Sequence, residues 1–233
     1  MSTSPFSVVL FDLDGTISDS APGITASLTH TFRTVGVPVP APETLRSFVG
    51  PPILDTFRTA MGMDEAFADR TLAVYREHYL AHGALDSEPF PGIDVVLRTL
   101  HDAGVPLSTA TSKPETPATY ILDHHGLAQY FDVIAGASDD EVRSAKADVV
   151  AEALRRLDRA GFDVSRPVLV GDRRHDVEGA AVHGVPTVFA AWGYGAPSEA
   201  EGTIATATTP LDLLPVLLPG TAAEDTPTIT AAP

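Results

Sequence analysis

Short apolar runs alternating with amphipathic helical patterns predict an α/β chain: a doubly wound, mostly parallel sheet with a helical insertion after its first strand. Three observations carry this. The apolar runs are short and rich in β-branched residues, which suits strands buried on both faces. The stretches between them repeat apolar residues at helical spacing and close on glycine. From about Pro22 to Glu88 there is no convincing strand pattern.

Ser7 to Asp12 (SVVLFD) is the first strand, and it ends on a carboxylate. The insertion follows, with helical patterns at Ile24, Leu28, Phe32 and Val35 before Gly36, at Ile53, Leu54, Phe57 and Met61 before Gly62, and from Phe67 to Tyr79. Ile93, Val96, Leu97 and Leu100 mark a helix that stops before Gly104, and Pro106 to Ser112 (PLSTATS) is the next strand. Ala118, Ile121 and Leu122 precede Gly126, and Asp132 to Gly136 (DVIAG) is a further strand. Val149, Val150, Ala153, Leu154 and Leu157 precede Gly161, and Pro167 to Asp172 (PVLVGD) and Val185 to Phe189 (VPTVF) complete the set. Pro219 to Pro233 is small, polar and proline-rich and is expected to be a disordered tail. Ligands of such sheets bind beyond the carboxyl ends of the strands, which puts the chemistry at Asp12, Thr111 and Asp172.

The 233 residues, 44% hydrophobic and 20% charged, suffice for one substantial core and a smaller module. No apolar run approaches the roughly 18 residues that span a bilayer. Met1 to Ser7 has no positive charge ahead of a long apolar stretch, so a cytoplasmic protein without membrane contact is expected. The absence of cysteine excludes disulfides, thiolate zinc sites and cysteine nucleophiles. A net charge of −16 repels a polymeric nucleic acid, and none is expected as partner. The same charge repels a small phosphate, so a phosphate site must supply its own cations, from a metal or from placed basic side chains. Of 15 basic residues only Lys113 and Lys146 are lysines, and both fall beside the motifs that follow.

The first motif is Asp12-Leu13-Asp14-Gly15-Thr16, where two carboxylates flank one residue at a strand end and glycine permits a sharp turn. The second is Gly171-Asp172-Arg173-Arg174-His175-Asp176; acids four apart share a face if a helix starts there, and acids from two strand ends suit a hard cation such as Mg²⁺. The third is Thr109-Ala110-Thr111-Ser112-Lys113-Pro114, hydroxyls ending a strand with proline opening a helix, either a phosphate cradle or an ordinary cap. The fourth is Lys146, whose place in a first helical turn runs against the helix dipole unless an anion lies near.

In order and approximate spacing these four motifs resemble the haloacid dehalogenase superfamily over about residues 6 to 218. FDLDGT, TSKP, RSAKADVV and VGDRRHDVEGA resemble in particular its phosphoglycolate phosphatase and 5′-nucleotidase branch. The resemblance implies a Rossmann-like core of residues 1–18 and 89–218 and a helical cap of residues 19–88. It implies Asp12 as nucleophile, Asp14 as general acid and base, Thr111 and backbone groups near Ser112 on phosphate, and Lys146 on nucleophile and phosphoryl group. It further implies Mg²⁺ held by Asp12, the Asp14 carbonyl and Asp172, with Asp176 at the metal or just behind it.

The expected activity is hydrolysis of phosphoglycolate or a nucleoside 5′-monophosphate through an aspartyl-phosphate, by a monomer or homodimer. A sugar phosphate mutase and a non-catalytic phosphate-binding regulator are the alternatives; a regulator would be expected to lack Asp12 or Asp14. A dehalogenase would have little use for Asp14 or for the Asp172 and Asp176 pair, because halide leaves without proton or metal. Lys113 is read as an exposed first-turn lysine in preference to a phosphate contact, and His78 with His82 as a solvated helix face in preference to a metal pair. His124 and His125 are read as helix-ending cations, and Arg173, Arg174 and His175 as salt-bridge formers, one of which could instead reach substrate. Phe48 to Pro52 is either a substrate-facing loop or a connector, and Trp192 to Gly195 either borders the entrance or packs as a loop.

Overall fold

The computed structural model describes residues 4–140 and 142–219. From the N-terminus, β1 (Val8–Phe11) leads to a short strand β2 (Ser18–Asp19) and four helices, α1 (Ala21–Thr34), α2 (Pro42–Ser47), α3 (Ile53–Thr59) and α4 (Glu65–His78). A π-helical turn at Tyr79–Gly83 extends α4, and β3 (Glu88–Pro89) then pairs antiparallel with β2. Both passages of the chain between the sheet and these helices thus run through one two-stranded ribbon.

Next come α5 (Ile93–Asp102), β4 (Leu107–Thr109), β5 (Thr111–Pro114), α6 (Glu115–His124) and β6 (Gly136–Ala137). They are followed by α7 (Lys146–Arg159), β7 (Pro167–Gly171), α8 (Arg174–Ala181), β8 (Thr187–Ala190), β9 (Ala205–Ala207) and α9 (Leu214–Leu217). Five strands form one parallel sheet in the order β4-β1-β7-β8-β9. Among the described residues no helix is long and apolar enough to cross a membrane.

All four side chains of β1 are buried, and successive ones serve opposite faces of the sheet. Val8 and Leu10 pack with Val149, Val150 and Leu157 of α7, whereas Val9 and Phe11 join Val96, Leu97 and Leu100 of α5. Helices therefore cover both faces, which is the doubly wound arrangement. The second cluster continues into Phe32, Phe57 and Leu72, so the helices of the insertion share apolar packing with the sheet.

Several expected strands are displaced. PLSTATS is two strands broken at Ala110, whose N–H donates to Phe11 and whose carbonyl is taken by Lys146. Beyond the break the chain turns away to pair β5 with β6. DVIAG contributes only a bridge at Val133 and the first residue of β6. VPTVF starts its strand at Thr187, after Pro186, which has no N–H to give a ladder. The edge strand β9 was not expected, since Ala205-Thr206-Ala207 is too small to signal one. His78 is half-buried, stacked on His30 at 4.1 Å between centroids, and only His82 is exposed. Apart from Pro219, the expected tail lies outside the described residues.

Candidate active site

Asp12 follows β1 directly, its N–H held by Val170 of the neighbouring strand, and its side chain is 2% exposed. The chain then folds back on itself: the Leu13 carbonyl accepts from the N–H groups of Thr16, Ile17 and Ser18. Gly15 sits at φ +88°, and a Cβ there would overlap the Asp172 carboxylate, so conformation and space both demand glycine. This tight turn brings the DLDGT segment against the end of β7.

Asp172 follows β7 directly, with Oδ2 accepting from Tyr194 N–H at 2.7 Å and Oδ1 from the Thr16 hydroxyl at 3.3 Å. Trp192 Nε1 donates to the Thr16 carbonyl, so the Trp192 to Gly195 loop packs on the first motif. Asp176 lies in the first turn of α8 and accepts from Arg173 N–H, as expected for acids four apart at a helix start.

Lys146 ties these parts together. Its Nζ is 2.8 Å from Asp12 Oδ1, 2.7 Å from Asp176 Oδ1 and 2.8 Å from the Ala110 carbonyl oxygen. Burial alone would lower its pKa, but the two carboxylates outweigh burial and raise it, so the ammonium stays charged. Burial, with repulsion from Asp176 and Asp14, pushes Asp12 up to about 6 despite Lys146. Burial and repulsion from Asp176 and Asp12 likewise raise Asp172 well above the usual carboxylate range. Asp176 goes the other way: burial opposes ionisation, and Lys146 and His175 overcome it.

Lys113 is not the exposed first-turn lysine that the sequence suggested. It belongs to β5, is 7% exposed, and places Nζ 3.0 Å from Asp14 Oδ2 and 2.8 Å from the Tyr79 hydroxyl. Asp14 also accepts from the Ser20 hydroxyl at 2.5 Å. Pro114 ends β5 and stands at the N-cap of α6, one residue before the helix it was expected to open. Thr111 Oγ1 accepts from Lys113 N–H, and the buried Ser112 hydroxyl has no hydrogen-bond partner.

Sequence reasoning gave no role to Ser20 or Tyr79 and grouped His175 with the salt-bridging arginines beside it. Ser20 and Tyr79 lie in segments without a motif. His175, by contrast, lies inside one, and its ligand nitrogen and single oxygens of Asp12 and Asp176 all lie within 4.8 Å of one another. Burial drives its pKa down to about 4, leaving a neutral ring whose Nε2 is buried without a hydrogen-bond partner. Arg173 pairs with Glu199, as expected, and also donates to the Val49 carbonyl in the Phe48 to Pro52 loop; Arg174 meets Glu199 through its backbone N–H, while its side chain donates to the Ser198 carbonyl.

With all four acids Asp12, Asp14, Asp172 and Asp176 ionised, two ammonium groups leave two negative charges uncompensated. Buried charge of that size requires a counter-ion or protons, and one divalent cation would balance it. An oxygen-rich donor set suits a hard cation. The residues present therefore fit a divalent metal.

Residues 9–190 match the family described as Haloacid dehalogenase-like hydrolase. Tyrosine-protein kinase PtkA of Mycobacterium tuberculosis is 46% identical over 202 residues, 87% of this chain and 68% of that protein. Its solved structure superposes with a TM-score of 0.76 at 44% identity, covering 91% of this chain and 98% of that one. A 5′-nucleotidase of Pseudomonas aeruginosa is 35% identical over 191 residues, 82% of this chain and 85% of that protein. A phosphoglycolate phosphatase of Aquifex aeolicus is 30% identical over 187 residues, 80% and 85% of the two chains. With its acids and lysines gathered at the strand ends, the chain belongs to the haloacid dehalogenase-like hydrolase family, among its phosphatase-type members.

Proposed function

We propose that the chain hydrolyses a small phosphomonoester through an aspartyl-phosphate on Asp12, with Mg²⁺ as cofactor. The observation that carries this reading is the bond of Lys146 to both Asp12 and Asp176 beside the separate Lys113–Asp14 pair. Each acid needed for the two half-reactions thus has its own cation.

In the first half-reaction an Asp12 carboxylate oxygen bonds to phosphorus as the ester P–O bond breaks, and Asp14 gives its proton to the departing alkoxide. In the second, Asp14 takes a proton from water, the water oxygen bonds to phosphorus, and the Asp12–phosphorus bond breaks. The sum is ester plus water giving alcohol plus inorganic phosphate. Lys146 offsets the repulsion between anionic Asp12 and the phosphoryl group, and Thr111, Ser112 and their backbone hold its oxygens. Asp12, Asp172 and the Asp14 carbonyl would hold Mg²⁺, with Asp176 beside them. The bound ion would supply charge neutralisation at the phosphoryl oxygens.

In this reading residues 19–88 form a cap over a core of residues 1–18 and 89–218, and the substrate is a small phosphorylated metabolite met in the cytoplasm. A second reading has one observation in its favour, the PtkA name of the 46% identical relative. There the phosphoryl group on Asp12 would pass to an acceptor hydroxyl instead of water.

The test is release of inorganic phosphate from small phosphomonoesters with Mg²⁺, by wild type and by Asp12→Asn. Hydrolysis by wild type and none by the variant supports the reading, and undiminished activity in Asp12→Asn refutes it. Transfer to a tyrosine-containing peptide without phosphate release would favour the second reading.

A further inference from the structure

Between the helices α1, α3 and α4 and the strand ends lies a cavity of about 300 Å³. Its floor carries Asp14, Ser112 and Lys113. Its walls are apolar, with Ile24, Ile53, Leu72, Tyr75 and Tyr79 prominent among them. Tyr75 and Tyr79 stack with centroids 5.5 Å apart and planes 10° from parallel, and Phe57 braces Tyr75 edge-on at 6.5 Å.

We infer that the alcohol half of the substrate is a flat, largely apolar ring system, an aryl or heteroaryl group. This deepens the phosphatase reading and rests on it. Asp14, the proton donor to the leaving oxygen in that reading, lies on the cavity floor, which directs the leaving group into this space. The walls offer dispersion and ring contacts to a flat body, and a volume near 300 Å³ is at the small end for ligand pockets, enough for one ring system.

A small acid or a second phosphate is poorly matched. The cations bordering the cavity, Arg76 and Lys113, are equalled in number by the acids Asp14 and Asp139. Arg76 donates to the Asp139 carbonyl at 3.0 Å, and Lys113 holds Asp14 and Tyr79. A carboxylate such as glycolate carries would therefore be buried against apolar wall with no surplus positive charge to meet it.

The experiment measures kcat/KM with Mg²⁺ for phenyl phosphate, adenosine 5′-monophosphate, phosphoglycolate and pyrophosphate, in wild type and in Ile53→Arg. Ile53 is half-buried at the start of α3, outside the acids and lysines of the site. The expected result is a wild-type preference of at least tenfold for phenyl phosphate or the nucleotide over phosphoglycolate and pyrophosphate, narrowing at least tenfold in Ile53→Arg. Whichever ring ester leads separates a simple aryl source from a nucleoside. Adenosine or phenol, but not glycolate, should inhibit competitively. Phosphoglycolate or pyrophosphate turned over as well as the ring esters overturns the inference and leaves the phosphatase reading standing. Hydrolysis of none of the four by wild type removes the phosphatase reading and this inference with it.

Discussion

The ammonium group of Lys113 lies 3.0 Å from Asp14 Oδ2 and reaches across to the hydroxyl of Tyr79 at 2.8 Å, so one buried cation joins the DLDGT turn to the end of α4. Removing one partner of a buried ion pair leaves the other uncompensated, at a cost of about 3–5 kcal/mol. Lys113→Met should lose that much stability in urea unfolding and most of its activity. Tyr79→Phe deletes one hydrogen bond and should lose about 1 kcal/mol. Equal losses in the two variants would mean that the Asp14 contact carries no special weight.

The excess of acids over ammonium groups around Asp12, Asp172 and Asp176 makes a second prediction. Mg²⁺ should stabilise the protein by about 2.7 kcal/mol at a hundredfold excess over its Kd, and chelation should reverse this and stop phosphate release. Asp172→Asn should weaken Mg²⁺ binding at least tenfold by titration calorimetry.

The third concerns pH. Asp12 is raised in the fold from 3.8 to about 6, so its contribution to stability is fully present below 3.8 and is lost as pH rises through about 6. In metal-free protein Asp12→Asn should therefore gain stability over wild type at pH 7.5 and gain less at pH 4.5. Bound Mg²⁺, a cation beside Asp12, should favour its ionised form, so the stability gain of Asp12→Asn at pH 7.5 should shrink when Mg²⁺ is added.

Backbone geometry gives the fourth. Gly15 and Gly36 both have positive φ, but only at Gly15 would a Cβ meet Asp172, while nothing lies within 4 Å at Gly36. Gly36→Ala should cost about 1–2 kcal/mol, the strain of a left-handed residue. Gly15→Ala should cost more and should also weaken Mg²⁺ binding, which isothermal titration would register.

Much of this was legible in the chain because the strands are buried runs and the motifs sit at their ends. SVVLFD and PVLVGD could only be inner strands, and their terminal acids had to emerge on the same edge of a parallel sheet. What escaped depends on contacts between distant segments. Lys113 looked like a helix-start lysine because Pro114 follows it, and nothing local reveals that Asp14 and Tyr79 wait on either side. The scarcity of lysine was the usable sign: this arginine-rich chain places its two lysines against the two halves of the site. His175 was grouped with the arginines before it as a salt-bridge former, although its own ring turns inward toward Asp12 and Asp176. The break at Ala110 escaped because it is set by the Lys146 contact, which has no counterpart in periodicity.

An ammonium has three N–H bonds, and Lys146 already has three oxygens within 2.8 Å, from Asp12, Asp176 and Ala110. Its charge is therefore already shared between two carboxylates before any ligand arrives. An incoming anion competes with them for the ammonium, and Lys146 acts on it through space, as fixed potential.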